Sequence, residues 1–250
     1  MSLPCLAVED RDGVRTVTLM RPETGNVLNA ALVGELSAIL SACEAEDGPK
    51  VLVLAGAPLV FCAGGDFQAA AAGDDLDPAH LYDLWRRLSD GPFVSVAAVR
   101  GRVNAGGVGL AAACDMVLAE SNASFALSEL LFGLFPACVL PFLIRRVGAQ
   151  RAHYLTLSTQ PITAAQALDW GLVDAVEDPL DGLLRKHLLR LRRLDKAAIG
   201  RYKRHRTALT GTVEAARPAA LAANRDLFAD PIIRAGIARY VTEGKFPWEE

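Results

Sequence analysis

Residues 96–136 read VAAVRGRVNAGGVGLAAACDMVLAESNASFALSELLFGLFP. The stretch is entered through an apolar, β-branched run, Val94 to Val99, which predicts a buried strand. A turn follows, Gly101 to Gly107, with no bulky side chain at Ala105, Gly106 or Gly107. The small-residue run Val108 to Ala113 continues it as a tightly packed helix. A helix that starts on glycines offers unpaired backbone N–H groups to whatever lies before it, which suits negative charge developing on a small oxygen atom. A second strand, Met116 to Ala119, leads to Ser128-Glu129, a lone carboxylate among Leu127, Leu130, Leu131 and Phe132. Apolar company raises a carboxyl pKa towards neutrality, where proton transfer is efficient. A donor turn plus a buried acid fits chemistry next to a carbonyl.

Working outward, Leu6 to Met20 carries two alternating runs around Asp10-Arg11-Asp12-Gly13, a hairpin signal. Asn29 is placed to cap an amphipathic helix through Leu32, Leu36, Ile39, Leu40 and Cys43. Lys50 to Ala55 predicts a buried strand, followed by the turn FCAGGD (61–66), whose Gly64-Gly65 again exposes N–H groups and whose Asp66 can cap the next helix. Ala69 to Pro78 reads as a mobile segment, and Leu81 to Leu88 as a helix. Strand–helix–strand alternation recurs to about Val176 and predicts stacked ββα turns around a shared core, without a repeat of fixed period. Helices are expected at Pro141–Val147, Gln150–Leu157 and Thr163–Trp170, and a short strand over Leu172–Val176. After Pro179 only helices are expected: Leu183–Arg206, Val213–Phe228 and Ile232–Thr242. The expected division is a core of residues 1–180 carrying the active site and a helical region of residues 181–250.

Composition bounds the function classes. A chain of 250 residues with 52% hydrophobic content supports one large domain, and a net charge of −3 gives no global reason to expect nucleic acid. No apolar run approaches ~18 residues, so no membrane span is expected, and Met1 to Glu9 lacks the basic start and apolar core of a signal peptide. Five scattered cysteines without CxxC spacing predict a reduced, cytoplasmic protein. The four histidines show no metal-ligand spacing, so no metal is expected.

Each candidate residue has a plainer reading. GRVNAGGVG is not the G-x-G-x-x-G of a dinucleotide fold and lies mid-chain; by itself it is equally a tight turn with close helix packing. FCAGGD supplies a second turn of the same kind, and two such turns can converge on one oxygen. Glu129 by spacing alone is either a buried base or an exposed helix residue. Cys62, with no histidine near it in sequence, reads as a buried small hydrophobe. His153 reads as a helix-packing residue. Asn104, polar at the donor turn, is a candidate substrate contact, and Tyr82 and His80 are further candidates from the adjoining segment. The 183–206 helix holds ten of the 26 Lys and Arg residues. It is either a solvated face or a docking surface for an acidic partner or a phosphate.

At these residues the chain resembles the enoyl-CoA hydratase/isomerase (crotonase) family, over nearly its whole length. FCAGGDF resembles the family's first oxyanion turn, which assigns one donor to the Gly65 N–H and places Ala63 at the substrate. VRGRVNAGGVGLAAACDMVLA resembles the second, which assigns the other donor to Gly106. FALSELLFGLFP resembles the segment carrying a catalytic glutamate, which falls on Glu129. DPIIRAGIARYVTEGKFPWEE resembles the family's last helix, which helps complete a neighbouring subunit's pocket. The family's hydratases carry another glutamate three residues after the second oxyanion glycine; here that position is Gly109. RGRVNAGG, FALSELLFGLFPACVLPFLIRR, LLRKHLLRLRRL and GKFPWE are similar to the dehydratase branch of polyketide β-branching cassettes. The resemblance implies an α/β, crotonase-like ββα superhelix with a C-terminal helical trimerisation region. It implies dehydration of a 3-hydroxy-3-methylglutaryl thioester on an acyl carrier protein, through a thioester enolate. No cofactor is expected beyond the phosphopantetheine or CoA that carries the substrate, and the expected assembly is a homotrimer or a dimer of trimers. Single-glutamate isomerisation or hydration, the decarboxylation of the same cassette, and a non-catalytic scaffold are the alternatives.

Overall fold

The structure, a computed structural model, describes residues 5–74 and 76–249. Strands β1 (Leu6–Arg11) and β2 (Val14–Leu19) form the expected antiparallel hairpin, with Asp12 and Gly13 at positive φ in its turn. Helix α1 (Ala30–Glu44) is capped as expected: Asn29 Oδ1 accepts from the Leu32 N–H at 3.0 Å. The chain then turns three times in the same way. One strand enters a large sheet, a short strand enters a second sheet, and helical structure returns. The first turn is β3 (Val51–Ala55), β4 (Val60–Cys62), α2 (Phe67–Ala71) and α3 (Pro78–Asp90). The second is β5 (Val94–Val99), β6 (Arg102–Asn104) and α4 (Gly106–Ala113). The third is β7 (Met116–Ala119), β8 (Ser124–Ala126), a 3₁₀ turn at Glu129–Phe132, α5 (Leu140–Val147) and α6 (Ala149–Ser158). Strand β9 (Ile162–Thr163), α7 (Ala164–Trp170) and β10 (Ala175–Val176) follow, and then four helices: α8 (Leu180–Leu191), α9 (Lys196–Thr210), α10 (Thr212–Ala229) and α11 (Pro231–Glu243).

The large sheet runs β1-β2-β3-β5-β7-β10 and is parallel from β2 onward; the small sheet runs β4-β6-β8-β9. Alternation along each large-sheet strand sorts its side chains to two cores. Leu52, Leu54, Ala97 and Val99 face the core built with α1, α3, α4 and α5, whereas Val51, Val53, Val94, Val96 and Ala98 face α8 and α9. Parallel strands covered on both faces read as the unbroken apolar runs seen in the sequence.

In the segment 69–78, α2 runs on to Ala71 and Asp77 caps α3 by accepting from the Ala79 N–H at 3.0 Å; Asp75 lies outside the described residues. Two local expectations are corrected. The strand expected over Leu172–Val176 shrinks to Ala175–Val176, because the N–H groups of Leu172 and Val173 close α7 on the Ala167 carbonyl. The single helix expected over Leu183–Arg206 is two, broken at residues 192–195, where Asp195 caps α9 by accepting from the Ala198 N–H at 2.7 Å.

Candidate active site

The two glycine turns meet. Gly64 has φ +105°, and a Cβ there would lie 2.7 Å from the Ala105 Cβ; a Cβ on Gly107 would lie 2.3 Å from the Cys62 carbonyl oxygen. Both approaches require glycine. The first turn is anchored from two sides: the Leu28 N–H donates to the Gly64 carbonyl at 2.7 Å, and the Ala63 N–H donates to Gly25 at 2.8 Å. Asp66 caps α2 through the Ala69 N–H at 3.0 Å and accepts from Asn29 Nδ2 at 3.4 Å, so the caps of α1 and α2 brace the same turn. In the second turn Ala105 sits at φ +49°, a non-glycine outlier that precedes the first residue of α4. Among the described residues neither the Gly65 N–H nor the Gly106 N–H donates to a protein acceptor. Both residues, with Ala63, line one cleft of about 1100 Å³.

Glu129 lines the same cleft. It opens the 3₁₀ turn Glu129–Phe132, closed by Gly133 in the left-handed region. Burial pushes its pKa from 4.5 up to about 7, as its apolar sequence neighbours lead one to expect, and its Oε2 is buried without a hydrogen-bond partner. The turn is gripped by aromatic rings. Phe132 meets Phe67 at 4.9 Å, Tyr240 at 5.0 Å and Phe246 at 5.4 Å between centroids. Thus α2, α11 and the segment after α11 together hold the acid in place. Phe228 of α10, Tyr240 of α11 and Phe246 after it also line the cleft of their own chain. Sequence reasoning missed this aromatic wall, because Tyr240 and Phe246 lie more than a hundred positions from Phe132.

Asn104 is at the cleft, its Nδ2 donating to Ser128 Oγ at 2.8 Å. Ser128 also lines the cleft and was not singled out in the sequence. Tyr82 does not line it. Fully buried, it packs on Phe142 with centroids 5.1 Å apart and donates to the Val213 carbonyl at 2.5 Å, pinning α10 to α3. Its helix faces the core at that position, so its expected role as a substrate contact is withdrawn. His80 is exposed on α3 outside the cleft. From the same helix Pro78, Leu81 and Trp85 line the cleft, and Trp85 is fully buried. A Cβ at Gly109 would lie 2.6 Å from Trp85 Cη2, so the indole occupies the space that a second acid at 109 would need. Cys62 is fully buried, its thiol pushed by burial up to about 12, and has no nucleophilic character.

The basic residues of α8 and α9 divide. Lys203 is buried, bonding Asp115 at 2.7 Å and the Leu88 and Phe93 carbonyls. Arg206 reaches Asp90 and Asp115, Arg192 reaches Asp12, Lys196 caps the end of α1 through the Cys43 and Ala45 carbonyls, and Lys186 pairs with Glu177. Arg185, Arg190, Arg193, Arg201 and Arg204 are exposed, and none of the ten lines the cleft. Among the described residues no helix is long and apolar enough to cross a membrane.

The chain is similar to known proteins over nearly its whole length. The chain is 50% identical over 242 residues to the bacillaene synthase dehydratase PksH of Bacillus subtilis (strain 168), covering 94% of this chain and 92% of that protein. A crystal structure of PksH from Bacillus subtilis, described as a polyketide biosynthesis enoyl-CoA hydratase, superposes with a TM-score of 0.94 at 47% identity, covering 98% of this chain and all of the other. The 2,3-dehydroadipyl-CoA hydratase of Escherichia coli (strain K12) is 36% identical over 228 residues, 89% of this chain and 88% of that one. The family model described as Enoyl-CoA hydratase/isomerase matches residues 9–250, and the chain belongs to that family, with its crotonase fold.

Proposed function

We propose that this protein dehydrates a 3-hydroxy-3-methylglutaryl thioester to the 3-methylglutaconyl thioester, with the acyl group carried on an acyl carrier protein, in polyketide β-branching. The observation that carries the reading is one cleft holding a buried acid, Glu129, and two unpartnered backbone donors, Gly65 and Gly106. The 50% identity to a polyketide dehydratase supports the reaction class.

In this reading Glu129, ionised, takes the proton from C2. The Gly65 and Gly106 N–H groups hold the thioester oxygen as the C2–H electron pair moves into the enolate; one such donor is worth roughly 2.7–4 kcal/mol of barrier. The enolate collapses to form the C2=C3 bond, and the C3–O bond breaks with its electron pair on oxygen. Trp85 fills the place of a second acid, so protonated Glu129 returns its proton to the leaving oxygen as water departs: a syn elimination that leaves Glu129 ionised again. The thioester carbonyl is the electron sink, so the chemistry draws on no cofactor. Ala63, beside the first donor, is assigned to the acyl or pantetheine arm.

The single acid also favours a second reading, double-bond isomerisation of an enoyl thioester, in which one base moves a proton between two carbons. Intact mass spectrometry of a carrier protein loaded with 3-hydroxy-3-methylglutaryl separates the two. Loss of water that depends on Glu129 supports the dehydratase. No mass change, with a 3-enoyl thioester isomerised instead, supports the isomerase. Loss of carbon dioxide assigns the decarboxylase. The family resemblance further implies a cytoplasmic homotrimer or pair of trimers, which light scattering tests.

A further inference from the structure

Four buried side-chain polar atoms lack a partner among the described residues: Trp85 Nε1, Asn104 Oδ1, Glu129 Oε2 and Arg206 Nε. Three of the four belong to residues that line the cleft. A buried orphan costs about 1–3 kcal/mol, so a cluster of them in one cavity describes the polar groups of what the cavity holds. Glu129 Oε2 is the unpartnered oxygen of the base, and in the reading above it receives the C2 proton. Asn104 Oδ1 is not accounted for by the fold. The amide is oriented by its other end, Nδ2 donating to Ser128 Oγ at 2.8 Å, which leaves Oδ1 as a fixed acceptor. Ser128 is joined by one peptide bond to Glu129, so one hydrogen bond and one peptide link Asn104 to the acid. On the other side, β6 ends at Asn104 and the Gly106 donor follows two residues later. Asn104 therefore stands between the base and one oxyanion donor in the chain's own connectivity.

We propose that Asn104 holds the leaving hydroxyl: its Oδ1 accepts the hydrogen of the substrate's C3–OH and so turns a lone pair of that oxygen towards Glu129. The inference rests on the dehydratase reading above. A tertiary hydroxyl offers one donor and two acceptors. The donor matches the orphaned Oδ1, and an acceptor matches the proton that Glu129 has taken from C2. Proton return, cleavage of C3–O and release of water then occur on one face. Asn104 also makes the site selective: a cavity built to bond a substrate hydroxyl discriminates against the analogue that lacks it, because the buried acceptor is then left unpaired. No acid at 109 can do this work, since the Trp85 indole occupies that space.

The test compares two pantetheine thioesters, 3-hydroxy-3-methylglutaryl and its deoxy analogue 3-methylglutaryl, on the wild type and Asn104→Ala. Two rates are read: water loss from the first by mass spectrometry, and C2–H exchange with D₂O on the second by NMR. The expected result is a 10–100-fold fall in water loss by Asn104→Ala, with C2 exchange on the deoxy analogue unchanged or faster, because the variant no longer leaves a buried acceptor unpaired. The exchange also reports that the variant is folded and that Glu129 works. Water loss unchanged, or water loss and deoxy exchange falling together, overturns the proposal. A wild type that exchanges the C2 proton of both thioesters and releases no water overturns the dehydratase reading, and the hydroxyl contact with it.

Discussion

Glu129 sets the chemistry at the residue scale. Glu129 is the base, and Glu129→Gln is expected to lower turnover by at least 10³-fold with the fold intact, checked by single-turnover kinetics and near-UV circular dichroism. Because Glu129 must be ionised to act and its pKa stands at about 7, kcat/KM rises with pH through about 7 on its acid side. The same shift governs stability. Glu129 titrates near 4.5 in the unfolded chain and near 7 when folded, so its stabilising effect is fully present below 4.5 and lost as pH rises through 7. Glu129→Gln is therefore expected to be more stable than the wild type by about 2–3 kcal/mol at pH 8 and equal to it at pH 4, measured by urea unfolding. Gly109→Glu drives a side chain into the Trp85 ring; it is expected to cost about 1–3 kcal/mol and to add no hydratase activity. Ala105, held at φ +49°, stores strain that Ala105→Gly releases, so that variant is expected to match or exceed the wild-type melting temperature.

At the scale of elements, the Glu129 turn is only as firm as the rings around Phe132. Phe132→Ala is expected to destabilise by about 3–5 kcal/mol and to admit water beside Glu129, lowering the pH at which kcat/KM turns over. A fall in stability with an unmoved pH profile would show that the rings do not set the acidity. Several elements were readable in sequence because their signals are local. The Asp12-Gly13 turn, the Asn29 and Asp66 caps, and the Thr163 start of α7 each lie within a few residues of what they specify. The break between α8 and α9 was missed because Leu-Arg-Arg-Leu-Asp carries no glycine or proline, although Asp195 is a good cap. Tyr82 was misjudged because helical spacing does not say which side of α3 the cleft lies on. Trp85 against Gly109, and Phe132 against Tyr240 and Phe246, were illegible because they join residues 24 to 114 positions apart. Only the folded ββα spiral makes them neighbours.

The whole molecule is a large sheet with a helical layer on each face, and α9 adds a buried ion pair to the apolar packing of that layer. Lys203, on α9, is 2% exposed and bonds Asp115 and two carbonyls of the segment 88–93. Burial lowers its pKa, while Asp115 opposes the shift. Removing one partner of such a buried pair leaves the other uncompensated, so Lys203→Ala is expected to cost about 3–5 kcal/mol. Limited proteolysis should then release α9 to α11 ahead of the strands. The fold class was legible from the alternation of apolar runs and small-residue turns. The covering of the sheet's second face by α8 and α9 was not, because a basic helix reads as a solvated one until its lysine is found inside.

The aromatic wall around Glu129 also has an order in time. Tyr240 and Phe246 are translated more than a hundred residues after the acid they enclose, roughly ten seconds later at ordinary rates of synthesis. The turn at 129 is thus made well before the rings that pack against Phe132. Glu129, Gly65 and Gly106 are all in place in the growing chain before the residues that complete one wall of their cleft. That wall is a finishing step, supplied by residues that reach Phe132 from more than a hundred positions away.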